Sequence, residues 1–236
     1  LPANIGSQLL RNAALTGDAA AAYEVAMRFV EGRGVAANLE EGARWFERAA
    51  SKGLTPAQFR YASMLEKGQG VKKDLAAAQR LYIAAASKGH AKAMHNLAVL
   101  YAEGAEGKPD YANAAQWFRK AAEHGVADSQ YNLGVLAARG PGTERNIAES
   151  YKWFALAAAQ GDKEAARKRD DVPAHLDAQT LASVQQAVKN FTPTPQPAEA
   201  IQITAPPGGW DRVTQPAQEK QRAAGPVSIG VESGKL

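Results

Sequence analysis

The chain has 236 residues, includes 12 prolines and no cysteine, and carries a formal net charge of +4. The lack of cysteine excludes disulfides and thiolate metal sites. The excess of positive charge lies in residues 1–161, where 19 basic residues are diluted by 15 acidic ones, so we expect no nucleic-acid binding. No apolar run comes near the roughly 18 residues that a membrane-spanning helix needs. We therefore expect contact with a membrane only through an anchor absent from this sequence.

Good helix-forming residues dominate the chain as far as Gly161, and β-branched and aromatic residues are few there. This composition predicts an all-α fold. The first predicted element is a helix over residues 5–16, which ends at Gly17 and makes residues 1–17 an N-terminal capping helix. The same helix ending recurs every 36 residues.

Five series of residues share this spacing of 36 between residues 17 and 161. Glycine ends a helix where a positive φ is needed, and Asn or Asp caps a helix N-terminus. Paired alanines let helices approach closely, while large side chains fill the space between them. Each repeat is thus predicted to be an αα-hairpin with two helices of about 13 residues. The series are Gly17, Gly53, Gly89, Gly125 and Gly161; Gly32, Gly68, Gly104 and Gly140; Asn38, Asp74, Asp110 and Asn146; Ala49-Ala50, Ala85-Ala86, Ala121-Ala122 and Ala157-Ala158; and Trp45-Phe46, Leu81-Tyr82, Trp117-Phe118 and Trp153-Phe154.

The repeated unit resembles the Sel1-like repeat, a relative of the tetratricopeptide repeat with a longer loop between its helices. The first two copies keep the pattern Gly-x-Gly-Val, beginning at Gly32 and at Gly68. The third copy has its second glycine displaced to Gly107, and the fourth has Ala137 where the pattern has Tyr. The resemblance implies a right-handed α-solenoid of four 36-residue helical hairpins over residues 18–161.

The C-terminal part of the chain is predicted as two regions. Residues 162–191 form C-terminal capping helices, one that begins at Asp162 and ends before Pro173, and an amphipathic one that begins at Asp177. Residues 192–236 are rich in Pro and Gly and are predicted to be an extended, mostly disordered tail. We expect such a tail to add no stability.

No set of side chains predicts chemistry. The Gly32-x-Gly34 element has neither a preceding strand nor a third glycine, so it indicates a loop rather than a dinucleotide site. His90 and His95 are five residues apart and do not share a helix face, which excludes a metal pair on one helix. No nucleophile, base and orienting group can be assembled, so we expect no enzymatic activity, no cofactor and no metal.

The resemblance implies a non-catalytic protein-interaction scaffold whose concave surface holds a protein or peptide. If Leu97, Ala98 and Tyr101 pack inward, three series of first-helix residues face the concave surface: a ladder of rings, a row of hydrogen-bonding groups, and a third row beside them. The alternative is that the rings only pack between adjacent first helices. The series are Tyr23, Phe59, His95 and Tyr131; Glu24, Arg60, Asn96 and Asn132; and Met27, Ser63, Val99 and Val135.

Residues 91–101, 127–136, 149–157 and 206–210 are similar to the periplasmic end of PodJ-type polar localisation scaffolds of alphaproteobacteria. This resemblance implies a periplasmic fragment of an inner-membrane-anchored protein that organises a cell pole and binds a protein or peptide of the cell envelope. The start at Leu1 rather than Met fits a fragment.

Two alternatives to a cell-pole scaffold stay open. One is a peptidoglycan-binding module, and the other is a periplasmic regulator of a sensor kinase. A glycan site needs an exposed tryptophan, and Trp45, Trp117 and Trp153 occupy packing positions, which leaves only Trp210 for that role.

Overall fold

The computed structural model describes residues 1–105 and 107–211, which form twelve α-helices, two short 3-10 turns and no strand. The prediction of an all-α fold is confirmed. The helices are α1 (Gln8–Leu15), α2 (Ala19–Glu31), α3 (Leu39–Ser51), α4 (Thr55–Lys67), α5 (Leu75–Ser87), α6 (Ala91–Glu103), α7 (Tyr111–Glu123), α8 (Ala127–Arg139), α9 (Ile147–Ala159), α10 (Lys163–Asp171), α11 (Ala178–Lys189) and α12 (Ala198–Ile201).

Helices α2 to α9 form four hairpins, and every one of these helices has 13 residues. The first helix of each hairpin packs on the second, and the second packs on the first helix of the next hairpin. Because the main contacts of α2 to α9 are between helices that follow each other in the chain, the hairpins stack into the predicted solenoid.

The predicted caps begin the second helices. The side chains of Asn38, Asp74, Asp110 and Asn146 each accept a hydrogen bond from the backbone N–H three residues further on. The first helices of the four hairpins end at glycines in the left-handed conformation, as predicted. These local signals explain why α2 to α9 all have the same length.

Small and large side chains alternate in the core between the helices. The alanine pairs are buried except for Ala158, which is partly buried, and Ala85 and Ala86 are 0% and 2% exposed. Tyr82 and Trp153 are among the largest side chains that are fully buried. This packing matches the role predicted for both series.

The second glycine of the inter-helix loop brings that loop against the preceding repeat. A Cβ atom on Gly70 would lie 2.1 Å from the carbonyl oxygen of Leu39, the first residue of α3. A Cβ on Gly142 would likewise lie 2.2 Å from the carbonyl carbon of Tyr111, at the start of α7. In the third repeat, where the glycine is displaced, a Cβ on Gly107 would meet nothing within 4 Å. The displaced glycine therefore does not make this close approach.

Capping helices close both ends of the repeats. Helix α1 follows a 3-10 turn at Ala3–Ile5 and is capped by Ser7, so it begins three residues later than predicted. At the other end Asp162 and Asp177 cap α10 and α11, as predicted. Helix α11 packs on α9, and Phe191 contacts the Trp153 ring edge-on.

Residues 192–211, here called the tail segment, correct the prediction of a disordered tail. The segment is largely extended, as its proline content predicts, but it is held against the solenoid. Ala200 is fully buried, helix α12 packs on α4, and Ile203 and Trp210 pack against the core of the first repeat. The few apolar side chains among the prolines give the segment enough buried surface to be held in place. Residues 212–236 of the predicted tail lie outside the described residues.

Candidate functional site

The structure places the predicted concave-face residues around two cavities. The first cavity, of about 490 Å³, is lined from α2, α4 and α6, and the second, of about 500 Å³, from α8 to α10 and the turn that follows. Glu24, Met27, His95 and Val99 line neither of them. The predicted residues at the first cavity are Tyr23, Phe59, Arg60, Ser63 and Asn96, and those at the second are Tyr131, Asn132 and Val135.

The predicted ladder of rings packs within the hairpins. Each ring contacts an aromatic ring on the second helix of its own repeat, with centroid distances from 5.2 Å for Tyr23 and Phe46 to 6.0 Å for Phe59 and Tyr82. The second helix of the same hairpin is thus one packing partner of every ring. Phe59 also stacks on His90 and His95 contacts Ser129, both at the adjacent first helix, as the alternative interpretation predicts. The rings hold each hairpin together, and three of the four also line a cavity.

The predicted row of hydrogen-bonding groups is partly engaged inside the protein. The Asn96 amide donates to the Tyr82 hydroxyl at 2.8 Å, and that hydroxyl donates to the Glu66 carboxylate at 2.5 Å. Burial, together with the neighbouring carboxylate, raises the pKa of Tyr82, so its hydroxyl stays protonated as a donor. The side-chain amide of Asn132, within α8, makes no hydrogen bond with any described residue. Of the two amides, Asn132 is the one available to a ligand.

His90 and His95, which sequence reasoning excluded as a metal pair, have structural partners. The His90 ring caps α6, where its Nδ1 accepts from the backbone N–H of Ala93, and it stacks on Phe59 at 4.5 Å. Burial lowers the pKa of His90 to about 4. His95 Nδ1 lies 2.8 Å from the Ser129 hydroxyl. Across residues 1–105 and 107–211, no group of three His, Cys, Asp or Glu side chains could hold a metal ion.

The tail segment makes its first hydrogen bonds with the repeats at the third repeat. Its Thr194 N–H donates to the carbonyl oxygen of Glu123 at 2.9 Å, and the Thr194 carbonyl oxygen lies 2.8 Å from Nδ1 of His124. The side-chain oxygen of Gln196 then accepts from the Ala91 N–H, at the start of α6. The tail segment thus contacts both the start of the first helix and the end of the second helix of the third repeat.

The tail segment then closes over the first cavity. Ile201 and Ile203 line it together with Tyr23, Phe59 and residues of α6. The surface predicted to be concave is therefore covered, at the first two repeats, by a piece of the same chain that includes α12 and the extended residues after it. No described residue of the tail segment lines the second cavity.

At the far end, the tail segment is tied to Arg28. The Arg28 guanidinium donates to both carboxylate oxygens of Asp211, at 3.0 and 2.6 Å, and also to Glu24 and to the carbonyl oxygen of Ile5. The Arg28 bonds hold the pKa of Asp211 below its ordinary value. Ser7 completes the contact, because its hydroxyl donates to the carbonyl oxygen of Trp210 and its N–H to Asp211.

Sequence reasoning missed Arg28, although the register contains a signal. The equivalent positions 36 residues apart are the buried apolar Met64, Leu100 and Leu136. An arginine at a position that is apolar in every other copy must bury a charge, and Arg28 is only 6% exposed. A buried charge requires an acidic partner, which could have been sought along the chain.

The second cavity combines apolar walls with a mainly basic rim. Its floor includes Tyr131, Val135 and Phe154. The Arg145 Nε–H donates a hydrogen bond to the carbonyl oxygen of Ala138, and Lys168 forms an ion pair with Glu164 at 3.4 Å. The charged groups of the rim are Arg139, Arg145, Lys168, Asp171 and the titratable His175.

None of the described helices combines the length and the apolar character that a membrane span requires.

Solved structures with the same fold support this architecture. One is an Escherichia coli protein described as c5321, a protective antigen of uropathogenic strains with an SLR fold. It shares 25% identity with this chain and has a TM-score of 0.67, and the match covers 76% of this chain and 40% of that one. Another is a Sel1 repeat protein from Oxalobacter formigenes, which shares 28% identity, with a TM-score of 0.63 over 75% of both chains. The match thus spans less than half of the Escherichia coli protein. No curated protein sequence gives a significant match.

The family itself is defined by the repeats. The Sel1 repeat model matches four consecutive segments, residues 19–54, 55–90, 91–126 and 127–162, which coincide with the four hairpins and the start of α10. These segments make up more than half of the sequence. The chain therefore belongs to the Sel1 repeat family.

Proposed function

We propose that this chain is a non-catalytic interaction module whose concave groove binds an extended segment of a partner protein. Sel1 repeat proteins typically mediate protein–protein interactions, and this family supports the general class. The observation that carries the more specific proposal is the tail segment in the groove. It provides an example, within the same chain, of the kind of ligand that the groove accommodates.

The contacts of the tail segment indicate how such a ligand is held. Thr194 engages the third repeat through both its N–H and its carbonyl oxygen, a contact that any residue type could make. Ile201 and Ile203 supply aliphatic side chains at the first cavity. Backbone pairing combined with pockets for alternate side chains is a general mode of peptide recognition. The partner segment is thus expected to be extended except for a short helical turn, and to carry aliphatic residues two apart.

The proposal is tested with the tail segment supplied as a separate molecule. A peptide of residues 194–204 is titrated into the chain truncated after Phe191, and binding is followed by NMR. Since a short linker corresponds to an effective concentration of about 1 mM or more, the titration must extend into the millimolar range. We expect saturable shifts in α4 and α6, and none at Asn132, which lines the other cavity.

A matched peptide controls for non-specific contact. It replaces Ile201 and Ile203 with serine, which keeps the backbone but removes both apolar side chains. This peptide should bind at least tenfold more weakly. Equal binding of the two peptides, or no shift at millimolar concentration, would contradict a peptide-binding groove.

We further propose that the module is the periplasmic part of an inner-membrane-anchored protein that organises a cell pole. This proposal is supported by the similarity of residues 91–101 and 206–210 to the periplasmic end of PodJ-type scaffolds. The test is the position of a periplasm-compatible fluorescent fusion of the full-length protein, followed by deletion of residues 18–161. Polar foci that depend on the repeats are expected, whereas uniform envelope fluorescence would point to the alternative of a sensor-kinase regulator.

Peptidoglycan binding is the alternative ligand class, and the tryptophans argue against it. Trp45 is 5% exposed and Trp153 is 1% exposed, so neither offers a face on which a sugar could stack. Trp117 is half-buried, and the Lys120 ammonium lies over its ring at 4.0 Å. Trp210, predicted to be free, is half-buried against the first repeat. Co-sedimentation with purified sacculi provides the test, and strong retention of the full chain would favour the glycan interpretation over a peptide ligand.

A further inference from the structure

Arg28 differs from the other buried residues of the solenoid because its charge is satisfied from a distant part of the chain. Its partner Asp211 is 183 residues away, whereas its other ion-pair partner, Glu24, is on the same helix turn. The contact is two-pronged, with one guanidinium nitrogen on each carboxylate oxygen. This is the geometry in which arginine recognises carboxylates most strongly.

The surroundings of Arg28 form a receptor for a carboxylate. The Ile5 carbonyl oxygen and Glu24 fix the guanidinium from behind, at 2.8 Å each. Gly6 leaves the necessary room, because a Cβ at this position would lie 2.4 Å from Nη1 of Arg28. The Ser7 N–H at the start of α1 adds a further donor to the carboxylate, at 3.3 Å. Every one of these groups belongs to the solenoid or its N-terminal cap.

The two sides of this contact differ in how firmly they are fixed. The Arg28 side chain is 8% exposed, while the Asp211 side chain is 62% exposed. An exposed carboxylate on an extended segment can leave without opening the core, but the buried guanidinium cannot follow it. If Asp211 leaves, Arg28 keeps Glu24 but loses its only described partner for Nη2. The vacated position then favours another carboxylate.

We propose that Arg28 is a carboxylate-binding site at the N-terminal end of the solenoid, filled in cis by Asp211, for which an acidic residue of a partner protein competes. The proposal rests on the proposed function for the approach of the partner along the groove. The partner segment would carry an acidic residue next to a large apolar one, as the tail segment does with Trp210 and Asp211. Binding of the partner at this site therefore displaces the end of the tail segment.

The test uses the full chain with its own end contact removed. The host protein carries Trp210→Ala with Asp211→Asn, which vacates the site and leaves all groups of the receptor intact. The probe is a peptide of residues 205–211 with acetylated and amidated ends, so its aspartate is its only charge. Calorimetry or NMR should show saturable binding to the host, and binding at least tenfold weaker to the unmodified chain, in which the site is occupied.

Two matched controls distinguish a carboxylate-binding site from non-specific binding of the peptide. A peptide with Asn in place of its Asp should bind the host about tenfold or more weakly, because a hydrogen bond to a charged group contributes about 1.5–3 kcal/mol. A host that also carries Arg28→Met should lose binding of the original peptide. Methionine is the residue of the second repeat at this register position, so the helix should fold, as circular dichroism would verify.

Each outcome decides the proposal. Binding that needs both Arg28 and the peptide carboxylate supports it. Equal binding to host and unmodified chain, equal binding of the Asn peptide, or no binding to the host would overturn it and leave the Arg28 contact as a purely structural ion pair. The groove peptide of residues 194–204 lacks this carboxylate and reports on α4 and α6, so the two proposals can fail separately.

Discussion

Gly70→Ala is the substitution that most directly tests how the repeats are joined. Gly70 has φ +67°, a conformation that disfavours any residue with a Cβ by about 1–2 kcal/mol. Its Cβ would also lie 2.1 Å from the Leu39 carbonyl oxygen and 2.8 Å from the Glu40 nitrogen, both of which are backbone atoms. A clash with backbone cannot be relieved by a rotamer change, and overpacking of this kind costs about 1–3 kcal/mol. The expected loss of stability is therefore about 2–5 kcal/mol.

Gly68→Ala is the matched control in the same loop. Gly68 has the same φ of +67°, but its Cβ would meet nothing nearer than the Lys73 Cβ at 3.4 Å, an ordinary contact. Urea denaturation of both variants should give a difference of about 1–3 kcal/mol between them, which is the inter-repeat contact alone. If both variants lose the same free energy of unfolding, the loop does not contact α3 closely, and the role assigned to the second glycine is wrong.

Three further predictions follow from buried groups. Burial lowers the pKa of His90 from 6.5 to about 4, so between these pH values the unfolded chain binds a proton that the folded chain does not. The free energy of unfolding, measured by urea titration, should therefore be constant above about pH 7 and fall by on the order of 3 kcal/mol between pH 6.5 and pH 4. The His90→Asn variant should show a flatter pH profile. Truncation after Phe191 should lower the free energy of unfolding by about 1–3 kcal/mol, because the partial burial of Ile203 and Trp210 is lost. Each kcal/mol shifts the thermal midpoint of a chain of this size by about 2–4 °C. An unchanged calorimetric midpoint would show that the tail segment does not pack. Ala86→Trp should destabilise the chain by at least about 1–3 kcal/mol because Ala86 is 2% exposed, and wild-type behaviour in thermal denaturation would contradict that burial.

The repeat architecture could be predicted because its signals are local. A cap such as Asn38 and a terminal glycine such as Gly32 act within one turn of the helix that they delimit, so their effect can be read from spacing alone. The alanine pairs and aromatic pairs add a packing pattern that only needs the next repeat. Four copies in phase make the inference strong, since a chance spacing would not recur.

The tail segment could not be predicted in the same way. Its proline content does predict the absence of long helices, but whether an extended segment is held depends on a complementary surface far away in sequence. Asp211 binds Arg28 across 183 residues, and no local rule connects them.

The binding surface was predicted only in part, for a similar reason. Helix phase places Asn96 and Asn132 on one face, but only tertiary contacts reveal that Tyr82 already engages Asn96.

The tail segment has a mechanical consequence for the array of repeats. In a linear array, cooperativity passes only through interfaces between neighbours. The tail segment adds a connection of another kind, since it is hydrogen-bonded to Glu123 of the third repeat and to Arg28 of the first. It therefore ties together two repeats that are not neighbours, and release of its end would remove this direct coupling between them.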